Sequence, residues 1–166
     1  MTSSKIKSER TLVFILDESN LKILLALKKQ RQGAGYYNGF GGKKEADETI
    51  EEAAVREVLE ESKLKIKKED LEKVAEIEFY FPAKPEWNQR VHIYFCKKWQ
   101  GSPVETEEMK PEWFNIKDMP YHNMWKSDTT WLPIVLSGKK IKAVYQWKED
   151  NKTVDQYEIE EVKLSD

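Results

Sequence analysis

The chain has 166 residues, 39% of them hydrophobic, which is the length of one domain and enough apolar content for a single core without disulfides. Its 28 Lys and Arg nearly balance 30 Asp and Glu, so the basic excess that grips a polynucleotide backbone is missing. Cys96 is the single cysteine, the opening stretch MTSSKIKSER lacks a signal-peptide apolar run, and no segment approaches the roughly 18 apolar residues of a membrane span, so a soluble, cytoplasmic, monomeric protein is expected.

Residues 11–16 (TLVFIL) and 21–27 (LKILLAL) are apolar, β-prone runs separated by Asp17-Glu18-Ser19-Asn20, which reads as a hairpin. Between Gln32 and Lys43 lie Gly33, Gly35, Gly39, Gly41 and Gly42, a loop whose backbone must turn sharply or approach a ligand closely. From Glu48 to Ser62 neither Gly nor Pro occurs, and Ile50, Ala53, Ala54, Val58 and Leu59 recur at helical spacing, predicting an amphipathic helix. Strands are expected over 74–81, 90–96 and 112–116, and a second helix over 129–136. Residues 141–148 and 154–162 should close the chain as a hairpin around Glu149-Asp150-Asn151. There is no repeat or interdomain linker.

The chemistry concentrates on the first helix, where Arg56, Glu57, Glu60 and Glu61 lie within six residues and positions three and four apart share a face. A Glu-rich helix is ordinarily a solvated face. Three converging carboxylates, however, repel one another unless a hard cation relieves them, and magnesium, or manganese in its place, takes such oxygen ligands together with substrate phosphates. Gly41-Gly42 upstream could add a bare backbone carbonyl as one more ligand. His92, between Val91 and Ile93, reads as structural, and Cys96 has no neighbour that would make it a nucleophile.

The wider spacing is decisive. Gly42, five residues, Glu48, seven residues, then Arg56-Glu57-Val58-Leu59-Glu60-Glu61-Ser62-Lys63-Leu64 resembles the Nudix box G-x5-E-x7-R-E-U-x-E-E-x-G-U, with eight of nine specified positions matched. With each fixed residue at about 5–7% frequency, a chance match falls well below about one in a million. The departure is Lys63, where the family has a glycine suited to a left-handed backbone; it leaves every proposed metal ligand in place.

Beyond the box, nearly the whole chain resembles the MutT-homologue branch of Nudix hydrolases, which act on oxidised purine nucleoside triphosphates. The matching stretches include Thr11-Leu12-Val13, Gly33-Ala34-Gly35, Asn38 to Lys43, Phe79 and Phe81, Val91-His92, residues 101–105, Glu107-Glu108-Met109, Trp113-Phe114, Met124-Trp125, Asp128 and Trp131. The resemblance implies an α+β fold of the α/β/α Nudix type, a mixed β-sheet sandwiched between helices, as one domain over 1–166 with its box at 42–64. It implies Mg2+-dependent hydrolysis to nucleoside monophosphate and pyrophosphate, with Gly41, Glu57, Glu60, Glu61 and Glu108 holding the metal. Glu61 or Glu60 would be the base, and Arg56 would orient the glutamates. Thr11, Lys28, Asn38, Phe40, Gly41, Gly42, Lys43, Phe79, Phe81, Trp125, Lys126, Ser127 and Asp128 correspond to nucleotide-contacting positions. Lys28 and Lys43 would face the phosphates, the aromatics would cover a purine face, and Asn38 with Asp128 would read its edge.

Two features depart from this branch: Ser127 stands where the family has the first of two aspartates, and Gln32 replaces an aromatic of the pocket. Residues 87–90 likewise replace a shorter turn. Altered or relaxed preference among oxidised guanine and adenine bases follows. The box by itself also suits a dinucleotide, a sugar nucleotide or capped RNA, the last disfavoured by the near-neutral charge, and a catalytically silent nucleotide sensor is a further alternative, which the intact glutamates oppose.

Overall fold

The computed structural model describes residues 5–164; residues 1–4, part of the opening stretch read above, and 165–166 lie outside it. Among the described residues eight strands form one mixed sheet. The expected first hairpin is present as β1 (Ser8–Asp17) and β2 (Lys22–Lys28), paired antiparallel through Ile15↔Leu24. The glycine-rich loop contains a two-residue strand, β3 (Tyr37–Asn38), that was not anticipated. It shares the β1-side edge of β2, because β6 (Met109–Asn115) occupies the other edge from Lys22 to Lys28. Downstream of β3 the loop stays against β1 through bridges Val13↔Phe40 and Arg10↔Lys43.

On its other side β1 runs parallel to β5 (Gln89–Cys96), which pairs antiparallel with β4 (Leu71–Tyr80). β4 pairs parallel with β7 (Ile141–Trp147), and β8 (Val154–Glu161) ends the sheet as the antiparallel partner of β7. The expected strands are therefore present, with β4 and β6 each beginning three residues earlier than the alternation suggested.

Helix α1 (Ile50–Ser62) starts two residues later than the composition indicated, because Thr49 is its cap. The Thr49 hydroxyl accepts the Glu52 amide at 3.1 Å and the Glu52 carboxylate accepts the Thr49 amide at 2.8 Å, a reciprocal box. Glu48 is thereby left outside the helix. Ala54 and Val58 pack α1 onto Val13, Ile15, Leu24, Ala26 and Phe40. Helix α2 (Asp128–Leu136) covers the opposite face, with Trp131, Leu132 and Val135 against Phe14, Leu16, Ile23 and Leu25. Since side chains alternate across a strand, β1 sends Val13 and Ile15 to one helix and Phe14 and Leu16 to the other, which is why its sequence reads as an unbroken apolar run. The sheet lies between helices, as expected.

Candidate active site

The α1 glutamates meet the glycine loop where it crosses β1. At Gly41 a Cβ would stand 1.8 Å from the Thr11 carbonyl oxygen, and at Gly42 it would stand 2.6 Å from Glu57 Oε1, so only glycine lets strand, loop and carboxylate pack this closely. The Thr11 amide donates to the Gly42 carbonyl at 2.9 Å, and the Gly41 amide donates to Glu61 Oε1 at 2.8 Å. Among the described residues none donates to the Gly41 carbonyl.

Glu61 is 4% exposed, and burial pushes its carboxyl up to about 8, with the Glu57 and Glu108 charges adding to the shift and the Gly41 amide and Lys28 opposing it. Burial also raises Glu57, against the pull of Arg56. Glu60 is exposed. Arg56 organises this face. Its Nε donates to Glu48 Oε2 at 2.9 Å, one terminal nitrogen to Glu48 Oε1 at 2.6 Å, and the other to Glu57 at 2.9 Å and Glu60 at 3.4 Å. The Lys43 carbonyl accepts from it at 3.2 Å. In return the guanidinium holds the Glu48 carboxyl down at about 2.

As the side chains stand, among the described residues no three acidic or imidazole groups are close enough to hold an ion, because Arg56 engages Glu57 and Glu60 while the Gly41 amide engages Glu61. The donor chemistry nonetheless fits a hard divalent cation. Two largely buried carboxylates whose charged forms are disfavoured by burial and by each other lie beside the Gly41 carbonyl, all oxygen donors, and a cation would remove that electrostatic penalty.

Beside Gly41 and Gly42 opens a cavity of about 130 Å³, roughly ten times the ~10–15 Å³ that one water needs. Arg10, Thr11 and Lys28 line the side toward Glu57 and Glu61. Phe79, Phe81, Trp125 and Trp147 supply aromatic walls, and Asn38, Ser127 and Asp128 supply polar groups. Asn38 Oδ1 already accepts the Gly39 amide at 2.9 Å, which leaves its Nδ2 for a ligand. Ser127 stands at the α2 N-cap but caps nothing, and its hydroxyl is buried without a partner. Asp128 Oδ1 accepts the Trp131 indole N–H at 3.0 Å while Oδ2 is buried and unpartnered, and burial raises this carboxyl to about 7.

Most of the residues singled out in the sequence converge here; three do not. The Phe40 side chain is fully buried in the α1-side core, and its backbone is taken by Val13. Lys43 and Lys126 are exposed and lie outside the cavity lining. Two lining residues went unnoticed. Arg10 is a polar position in a strand with no motif around it, and Trp147 could be found only in the buried register Ile141, Ala143, Tyr145, Trp147. His92 lies outside the cavity, its ring nitrogens 2.8 Å from Glu9 and 3.0 Å from the Lys73 ammonium. The Cys96 thiol is buried and its pKa raised by that burial, so it is not activated.

Comparison with known proteins matches the NUDIX domain family over residues 7–133. The chain is 41% identical over 152 residues to the mouse (Mus musculus) oxidized purine nucleoside triphosphate hydrolase, covering 92% of this chain and 94% of that one. It is 38% identical over 153 residues to the zebrafish (Danio rerio) protein of the same name, with the same coverage. Among solved structures it superposes on a MutT protein from Bacillus halodurans with a TM-score of 0.78 at 20% identity, covering 92% and 97% of the two chains, a likeness of fold.

Proposed function

Because this chain belongs to the Nudix family, and two thirds and more of it align with oxidized purine nucleoside triphosphate hydrolases, we propose that it is a hydrolase that converts oxidised purine nucleoside triphosphates to nucleoside monophosphates and pyrophosphate. The observation that carries this reading is the junction at Gly41-Gly42: these two glycines line an aromatic, polar cavity and are themselves touched by α1 carboxylates, Glu61 at the Gly41 amide and Glu57 against Gly42. One Nudix unit spanning the whole chain is part of the proposal, supported by β7 and β8 extending the same sheet past the matched residues. So is a monomer. A reducing cytoplasmic setting accords with the single unpaired, buried Cys96. Among the described residues no helix is long and apolar enough to cross a membrane.

Glu57, Glu60, Glu61 and Glu108, with the Gly41 carbonyl, would hold a divalent metal, which the proposal takes to be magnesium, with manganese able to substitute. A structural relative from Francisella tularensis, at a TM-score of 0.61 and 21% identity, is described as complexed with AMP and a Mn ion. When bound, the cation supplies charge against the polyphosphate oxygens and acidifies water. The protein's own groups do the rest. Arg10 and Lys28, partly desolvated beside the glutamates, face the phosphates. Arg56 keeps the acidic face ordered through charge-assisted bonds. Glu61 or Glu60 takes a proton from water as its oxygen bonds to phosphorus, and the phosphoanhydride bond breaks with pyrophosphate leaving. Phe79, Phe81 and Trp125 cover the base, while Asn38, Ser127 and Asp128 address its edge. With a hydroxyl at Ser127 and Gln32 lining the wall, the preference is relaxed between oxidised guanine and adenine bases.

The test is pyrophosphate release from 8-oxo-dGTP, 2-hydroxy-dATP, O6-methyl-dGTP and dGTP, with magnesium, manganese or chelator. Modified nucleotides should turn over faster. Faster turnover of dGTP than of all three overturns the proposal, as does release confined to dinucleotides or sugar nucleotides, or binding without release.

A further inference from the structure

Trp147 ends the β7 row Ile141, Ala143, Tyr145, but its ring leaves the α2-side core and lines the cavity. The β7–β8 register shifts between Gln146 and Trp147, the kind of irregularity that re-aims a side chain beside a site. The indole is then fixed from several sides. Phe81 lies nearly parallel to it at 5.7 Å and 14°, Phe79 at 6.2 Å and 22°, and Trp125 meets it edgewise at 5.4 Å. Trp147 is 2% exposed, and its Nε1–H is buried with no hydrogen-bond partner.

An indole nitrogen only donates, so a buried N–H with no acceptor among the described residues is an unmet demand for one. The same cavity holds two more buried polar atoms without partners, Ser127 Oγ and Asp128 Oδ2, both able to accept. A fixed donor beside two groups that can each accept from a ring N–H complements a lactam edge, a carbonyl next to a ring N–H. An aminopurine edge places its amine donor where the lactam has its carbonyl, and its acceptor is a ring nitrogen one bond deeper, so a fixed N–H that reaches an exocyclic oxygen meets an N–H there instead. Oxidation of a purine ring carbon adds such a carbonyl.

We propose that Trp147 is a base-specificity residue, its Nε1–H donating to an exocyclic carbonyl oxygen of an oxopurine that stacks among the cavity aromatics. This rests on reading the cavity as the purine site. A donor set in a rigid wall discriminates more sharply than one on a mobile side chain, because it cannot turn away to water when the acceptor is missing.

Trp147→Phe keeps an aromatic ring in place and removes the N–H together with part of the indole's packing, a loss common to all substrates, so the N–H is read from the difference between them. Expected is a loss of about fivefold in kcat/KM for 8-oxo-dGTP and dGTP, the range of one neutral hydrogen bond, carried mainly by KM. Turnover of dATP and of purine deoxyriboside triphosphate, which lack an exocyclic carbonyl, should change less than about twofold. Equal losses on all four, or none, overturn the proposal. Independently of turnover or of the variant's folding, the Nε1–H proton resonance of Trp147 in the unmodified protein should move downfield when 8-oxo-dGMP binds, and stay in place with dAMP. No shift on 8-oxo-dGMP binding overturns the Trp147 assignment. Wild-type protein that binds 8-oxo-dGMP with that shift but hydrolyses no triphosphate overturns the proposed function instead.

Discussion

Arg56 grips Glu48 through two nitrogens, Nε to Oε2 at 2.9 Å and a terminal nitrogen to Oε1 at 2.6 Å, eight residues back along the chain. That fork ties the start of the box to its catalytic face, because the same guanidinium reaches Glu57 and Glu60. Lysine carries the charge but has no fork. Arg56→Lys should therefore lower kcat by at least about tenfold, ~1.4 kcal/mol in the barrier, with the fold retained by circular dichroism. Unchanged kcat would remove Arg56 from the ordering of the glutamates. Glu48, held near 2, contributes stability that is complete above the ordinary carboxylate range and fades as pH falls toward 2, a loss that Glu48→Gln should largely abolish in acid-melting curves.

Glu61→Gln keeps an oxygen for the Gly41 amide and removes a buried charge. Catalysis should drop by a factor of about 100 or more if the carboxylate serves as ligand or base. Stability should move the other way. A carboxyl raised to about 8 in the folded protein stabilises it fully below the ordinary range near 4.5 and less as pH rises toward 8. In chelator at pH 8 the variant should therefore melt at or above the parent temperature. A near-native rate contradicts the assignment.

Lys63 caps α1 in a left-handed conformation, with φ of 67° and ψ of 8°, the geometry that the box reserves for glycine. A side chain there costs about 1 kcal/mol. Lys63→Gly should raise the melting temperature by roughly 2–4 °C and leave kcat unaltered, as read by calorimetry and by turnover of the same preparation. A lower melting temperature would mean that the lysine side chain contributes more than its backbone strain removes.

Asp128, pushed to about 7 by burial, binds its proton more tightly in the folded chain than in the unfolded one. The sign follows: its contribution to stability is complete below the ordinary value of 3.8 and is lost as pH rises through 7. Asp128→Asn should flatten the fall in melting temperature between pH 4 and 7. It should also remove any change in KM for 8-oxo-dGTP across pH 6–8. A KM profile that keeps its shape in the variant would exclude Asp128 from the base edge.

The reaction class was legible in the sequence because its determinants are local. Glu57, Glu60 and Glu61 sit three and four residues apart on one helix, and β1 and β2 meet across a short turn, so a period and a spacing suffice to place them, whereas the Thr49 cap, equally local, was missed and the helix start set two residues early. Lys63 stood out as the one departure from the box. The base pocket is assembled otherwise. Arg10 reaches it from β1, Phe79 from β4, Ser127 and Asp128 from the start of α2, and Trp147 from the end of β7. These are joined by the parallel pairings β1–β5 and β4–β7, which no turn residue announces. Tertiary structure alone decided that Phe40 faces the core, that Ser127 leaves its hydroxyl uncapped, and that the Trp147 N–H is buried without a partner. Which face a side chain takes, and whether its polar atom is satisfied, depends on partners distant in the chain, and neither periodicity nor motif records them.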